Sequence, residues 1–273
     1  MEKEVKFINL YDNEVEYVFI KSKTNSNKNF IFVHGFTGNF DRLFELADHL
    51  TDYNLYGLNF PLSGNTKYSS KEQVSVFWYA KLLSEFIKQL NLKNTTLFGH
   101  SMGGATVILA YPEVKDFINK LILVAPVNRT SLVRESMFKN WFIKPTLEAR
   151  EHVINNIYHD GKVFWNKAQT QEKAQAFIKI MKSNMDFNNK VSNLGLELIS
   201  EKLFTTLESI FPIIKVQTVL IYGTSDKIID AENIQAYYET LIPSIYVIKL
   251  FNSGHIPWEE TPKEFFNQLA KIL

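Results

Sequence analysis

Cysteine is absent from the 273 residues, which excludes disulfides, thiolate nucleophiles and thiolate metal sites together. An excess of one charge is missing as well. Lysine and arginine number 30 against 29 acidic residues, and neither sign gathers into a block, so nothing marks a nucleic-acid or anionic-membrane partner. No run of about 18 uncharged apolar residues occurs, so no stable membrane insertion is expected. The opening MEKEVKFINLYDNEVEY lacks the apolar segment of a signal peptide, and the expectation is a soluble, cytoplasmic protein. Internal repeats and low-complexity tracts are also lacking. What remains is a chain with 45% hydrophobic and 14% aromatic residues, enough to bury a core without metals or crosslinks.

The front of the chain alternates strand and helix signals. VKFINL, VEYVFIKS and NFIFVHG are rich in β-branched and aromatic residues, and the third is apolar on both faces, as an inner strand is. FDRLFELADHL has helical spacing, NLYGLNF reads as a strand closed by Pro61, and residues 72–90 predict a long helix with a stripe through Val76, Tyr79, Leu83, Phe86, Ile87 and Leu90. NTTLFGHS then predicts a strand and turn, GGATVILAY a short helix stopped near Pro112, and KLILVAPV another strand. A parallel sheet wrapped by helices follows.

From about residue 129 to 215 the alternation breaks. SMFKNWFI, EHVINNIYH, KAQAFIKIMKSNM and LELISEKLFTTLESIF read as helices inserted into the α/β pattern. QTVLIYG restores a strand, residues 231–241 predict a helix, SIYVIKLF is the last strand, and PKEFFNQLAKIL closes the chain as an amphipathic helix. The expected division is a core of residues 1–128 and 216–273 with a helical insertion at 129–215.

Within LFGHSMGGA the pattern G-x-S-x-G stands as Gly99-His100-Ser101-Met102-Gly103. A nucleophilic serine on a sharp strand-to-helix turn needs small residues two positions before and after it, and the flanking strand and helix signals match that use. An ordinary turn would explain the five residues alone, but not their context. A serine hydroxyl needs a base. Of six histidines, His255 lies in the Gly-containing loop NSGHIP after the last strand, where it can reach over the sheet edge. His49, His152 and His159 fall on expected helices and suit structural roles, and no third ligand accompanies the latter pair, so no metal is expected. His100 adjoins the serine and is expected to point away from it. A carboxylate must fix the imidazole tautomer. Asp226 follows a strand in GTSD, and its rival Asp230 lies nearer the next helix, where acidic residues cap first turns. An oxyanion hole would draw on the N–H of Met102 and on that of Phe36, which follows His34 and Gly35 at the end of the third strand.

Serine, acid and histidine in that chain order, with His-Gly on a strand end, resemble the α/β-hydrolase superfamily. The likeness runs through VHGFTG, FGHSMGG, YGTSD and SGHIPWEETPKEF, nearly the whole chain. It implies an α/β-hydrolase fold: a mostly parallel central sheet flanked by helices, with residues 129–215 as a helical cap over the site. It implies Ser101 as nucleophile, His255 as base and acid, Asp226 as its orienter, Phe36 and Met102 as oxyanion donors, and no metal or organic cofactor. Dehalogenases and soluble epoxide hydrolases of the superfamily carry aspartate at the elbow, and prolyl aminopeptidases carry HGGPG where this chain has HGFTG. The motifs look more like carboxylesterases and monoacylglycerol lipases. The expected substrate is a small-molecule ester, with a short to medium acyl group or a monoacylglycerol-like lipid. Two alternatives stand beside it. An aminopeptidase would need a cap carboxylate from Glu135, Glu148, Glu151, Glu197 or Glu201, and a non-catalytic receptor would keep the cavity without turnover. The oligomeric state is not legible.

Overall fold

A computed structural model describes residues 2–273. Its eight-stranded sheet has the order β1-β2-β4-β3-β5-β6-β7-β8. The strands are β1 (Lys3–Leu10), β2 (Asn13–Ile20), β3 (Asn29–Val33), β4 (Asn54–Leu58), β5 (Thr95–His100), β6 (Ile118–Val124), β7 (Gln217–Gly223) and β8 (Tyr246–Leu250). Strand β2 is antiparallel to β1 and β4, and every other pairing is parallel.

The helices of the first half are α1 (Arg42–Ala47), α2 (Val76–Gln89) and α3 (Met102–Val114). Between β6 and β7 the chain forms α4 (Glu135–Met137), α5 (Leu147–Ile157), α6 (Gly161–Trp165), α7 (Ala168–Ser183), α8 (Met185–Glu197) and α9 (Glu201–Ile210). The remainder holds α10 (Ile234–Leu241), α11 (Pro257–Glu260) and α12 (Pro262–Ile272).

Side-chain alternation divides the core into two layers. Ile31, Val33, Leu97, Leu121 and Leu123 point to the face covered by α2, α3 and α9, whereas Phe30, Phe32, Phe98, Ile122 and Val124 point to the face covered by α1 and α12. Both faces are dry, so β3 and β5 are buried at every position. Each fully buried Phe or Leu here stabilises the fold by about 1.5–3 kcal/mol. Strand β3 pairs with β4 on one side and β5 on the other, so the chain reverses its direction of travel across the sheet there. Loops leaving the carboxyl ends of β3, β5, β7 and β8 converge beside that reversal, the usual ligand position of open α/β sheets.

Several local expectations are corrected. Helix α3 does not stop at Pro112 but carries it and ends at Val114. Proline there removes one donor, in the last turn, and the burial of α3 against the sheet outweighs it. LELISEKLFTTLESIF is not one helix: Ser200 interrupts it and its Oγ accepts the Leu203 N–H at 3.3 Å to start α9. KAQAFIKIMKSNM likewise ends before Asn184, whose Oδ1 accepts from Phe187 N–H at 2.9 Å to start α8. Side-chain capping outcompeted a continuous apolar stripe in both places. His49 and His159 lie just beyond α1 and α5 rather than on them.

Candidate active site

Ser101 sits between β5 and α3 with φ +55° and ψ −117°, a left-handed conformation that costs a non-glycine residue on the order of 1–3 kcal/mol. The surroundings enforce it. Ser101 N–H donates to the Val124 carbonyl at 2.9 Å, and its own carbonyl accepts from Gly104 at 2.9 Å and Val127 at 3.1 Å. The turn is tight enough that a Cβ on Gly103 would lie 2.1 Å from the Val33 carbonyl oxygen, and one on Gly99 would lie 2.5 Å from that of Gly103. These contacts are with backbone, which cannot swing aside, so the spacing of the two glycines around Ser101 is a steric requirement.

Asp226 and His255 meet across the loops that follow β7 and β8. His255 Nδ1 donates to Asp226 Oδ2 at 2.8 Å, and the other carboxylate oxygen accepts from the backbone N–H groups of Ile228 at 2.8 Å and Ile229 at 3.1 Å. Both side chains are buried. In the tautomer that carries its proton on Nδ1, the imidazole has its lone pair on Nε2. Asp230 is engaged elsewhere, accepting from Asn233 Nδ2 at 2.7 Å and from Glu232 N–H at 3.3 Å. It caps the turn that leads into α10.

Met102 adjoins the serine in sequence, and Phe36 lines the same cavity as Ser101. Met102 opens α3, where the first N–H groups have no intrahelical acceptor and the helix dipole favours negative charge. Phe36 belongs to the turn after β3, closed by Gly38 N–H to the Gly35 carbonyl at 3.0 Å, with Thr37 at φ +54°. His34 fixes that turn from within. Its Nδ1 donates to the Gly35 carbonyl at 2.8 Å and its Nε2 faces the Phe60 N–H at 3.5 Å. Burial lowers its pKa to about 4, so the ring is neutral and can fill both roles.

A cavity of about 200 Å³ is bordered by Ser101, His255, Phe36, Phe138, Phe142 and Ile157. A second, of about 370 Å³, is bordered by Met102, Thr37, Phe177, Ile180, Phe187 and Leu194. The two share His34, Thr37 and Gly38 as a common wall. Residues between β6 and β7 thus line both cavities, opposite the strand ends.

The family model described as alpha/beta hydrolase fold matches residues 28–262. The chain belongs to the α/β-hydrolase fold family. A Mycoplasma pneumoniae protein with an esterase/lipase name is 28% identical over 268 residues, covering 96% of each chain. Lipase 3 of Moraxella sp. is 24% identical, with 97% of this chain and 82% of that one covered. Among solved structures, the esterase EaEST of Exiguobacterium antarcticum superposes with a TM-score of 0.77 at 18% identity, covering 97% of this chain and 98% of that one. The Acinetobacter baumannii protein lip1 gives 0.82 at 20% identity, covering 99% and 90%. At such identities the structural likeness bears on the fold alone.

Not every residue of this hydrolase-fold site was visible in the sequence. Arg42 borders the smaller cavity from the start of α1 and pairs with Glu45 at 3.1 Å and with Glu259. His100 lies on the same cavity wall as Ser101, and its Nε2 donates to the His255 carbonyl at 2.9 Å. Burial, then the neighbouring His255, hold its pKa well below the ordinary value, so it is a neutral donor. Adjacency to the serine was the one signal, and it gave no partner. The carboxylates that an aminopeptidase would need lie elsewhere. Glu135 pairs with Lys139, Glu201 with Arg129 at 2.7 Å, Glu197 accepts from the Val76 N–H at 2.6 Å, and Glu148 and Glu151 are exposed. Neither described cavity is bordered by any of them. Among the described residues no group of three metal-ligating side chains occurs, and no helix is long and apolar enough to cross a membrane.

Proposed function

We propose that this protein is a serine hydrolase that cleaves carboxylic esters through an acyl-enzyme on Ser101. The observation that carries the reading is the 2.8 Å bond from His255 Nδ1 to Asp226, behind a cavity that His255 shares with a serine on a strained strand-to-helix turn. In this reading His255 Nε2 takes the Ser101 proton as Oγ attacks the acyl carbon. The developing oxyanion is met by the N–H groups of Phe36 and Met102, each worth about 2.7–4 kcal/mol in comparable sites. His255, now protonated, gives its proton to the departing alkoxide, and the ester C–O bond breaks. Water then gives a proton to His255 and attacks the acyl-enzyme, and the returned proton frees Ser101 with the carboxylic acid. Asp226 holds the imidazole in the required tautomer.

Residues 129–215 act as the cap in this reading. Their apolar side chains give the larger cavity a wall of Phe177, Phe187, Val191 and Leu194, and its volume of about 370 Å³ suits a short to medium acyl group or a monoacylglycerol-like ester. The names carried by the Mycoplasma and Moraxella relatives support the ester class. The decisive experiment is hydrolysis of a chromogenic ester series from acetyl to palmitoyl by the wild-type protein and Ser101→Ala. Turnover lost by about 10⁶-fold in the variant is expected. No serine-dependent turnover on any member would overturn the reading.

A further inference from the structure

We propose that Glu260 is a positioning residue for His255, acting by pinning the histidine loop to the Ile157–His159 turn of the insertion. The proposal rests on the ester-hydrolase reading above. Glu260 is the last residue of α11, five residues after the histidine. Its two carboxylate oxygens are divided between two segments far apart in sequence. Oε2 accepts the N–H of Gly254 at 2.5 Å, directly before His255, and Oε1 accepts the N–H of His159 at 2.6 Å, directly after the last turn of α5.

The contacts around this carboxylate close a frame on the His255 main chain. His255 N–H donates to the Ile157 carbonyl at 2.6 Å, and its carbonyl accepts from His100 Nε2 at 2.9 Å. The histidine backbone is therefore held from the insertion on one side and from the nucleophile turn on the other. Gly254 shows how close the two segments lie. A Cβ there would stand 2.3 Å from the Ile157 carbonyl oxygen and 3.0 Å from both the His159 nitrogen and Glu260 Oε2.

The turn itself is anchored independently. Tyr158 is buried, stacks on Phe164 at 3.7 Å and donates to Glu259 Oε2 at 2.7 Å. His159 Nδ1 lies 2.7 Å from the Ser225 hydroxyl, next to Asp226. One short turn of the insertion thus touches both loops that carry the imidazole and its carboxylate. Glu260 joins the two amides at the centre because a carboxylate alone among side chains offers two acceptors in a rigid fork and no donor.

That chemistry defines the test. Glu260→Gln keeps the shape but turns an N–H₂ toward one of the two amides, so one bond is lost. Glu260→Asp keeps the charge but falls one methylene short of spanning both. With an acetyl ester, whose small acyl group leaves the insertion's apolar wall unused, both variants are expected to lower kcat by about 10- to 100-fold, the effect of misplacing a base by about an ångström. KM is expected to stay within about twofold, since substrate contacts are untouched. In the same variants, amide hydrogen exchange at Gly254, His255 and His159 is expected to quicken by about tenfold while the sheet amides stay protected. Unchanged kcat with unchanged local exchange would overturn the proposal. A loss of kcat matched by faster exchange throughout the sheet would also overturn it, because Glu260 would then support the fold as a whole. If the wild type shows no Ser101-dependent turnover, the ester reading fails separately, and local exchange in the two variants alone decides whether Glu260 holds the histidine loop.

Discussion

The strand ends and the insertion between β6 and β7 wall the same cavities by opposite means. At the strand ends the candidate reacting groups are set by backbone geometry and buried hydrogen bonds: Ser101 by a left-handed turn, Asp226 by two N–H donors, and the Phe36 turn by a neutral histidine. In the insertion the walls are apolar side chains on helices that also carry exposed Val163, Met185 and Leu196. A backbone constraint admits few substitutes, because Gly103 has no larger replacement that avoids the Val33 carbonyl. An apolar wall admits many, provided volume is kept. In the proposed reading the reacting groups and the substrate range can therefore change independently, and the Ile157–His159 turn is a place where the two regions meet.

The largest effects are expected at the strand ends. Asp226→Asn is expected to lower kcat by about 10⁴-fold on every ester, short or long, because it stabilises the wrong imidazole tautomer. Steady-state rates across the acyl series check it, and a loss confined to long chains would erase the distinction between the regions.

Acid should expose the second difference. The His34 pKa is lowered to about 4 from 6.5, so the unfolded chain binds the proton that the folded one refuses, and stability falls as pH drops from 6.5 toward 4. The expected loss from this group is about 3 kcal/mol, and His100 is shifted in the same direction. Urea unfolding at pH 7 and pH 4 measures it, and His34→Asn is expected to flatten the slope. An unchanged slope in that variant would remove His34 as the acid-sensitive support of the turn.

In the insertion the effects should be smaller and selective. Phe187→Ala or Leu194→Ala is expected to lower kcat/KM on an octanoyl ester by about tenfold relative to an acetyl ester. Equal losses on both substrates would deny the wall its part in chain-length choice. Smallest of all, Asp230→Ala is expected to leave kcat unchanged and cost about 1 kcal/mol of stability through a lost cap, read as a shifted urea midpoint. An Asp230 variant as damaged in kcat as Asp226→Asn would reverse the assignment of the two carboxylates.

Much of the fold was legible because its signals are local. Apolar strands such as NFIFV, buried on both faces, are recognisable without partners, and the elbow announces itself through glycines two residues either side of Ser101. The family match over residues 28–262 agrees with the resemblance read from VHGFTG, FGHSMGG, YGTSD and SGHIPWEETPKEF. Helix ends in the insertion were less legible. Ser200 and Asn184 break stripes that look continuous, since a cap competes with propensity by only about 1 kcal/mol. Pro112 misled in the other direction, because burial of α3 outweighed one missing donor.

Composition and spacing by themselves determined the class of the fold, the order of its elements and the residue types offered at each strand end, since each follows from periodicities of two or 3.6 residues and from turn chemistry. Folding set Asp226 rather than Asp230 against His255, gave His100 a partner, placed Arg42 on the cavity and set Glu260 between Gly254 and His159, whose positions differ from Glu260 by 6 and 101 residues. Such bonds depend on where distant loops are carried by a twisted sheet, and no local pattern in the chain encodes that distance.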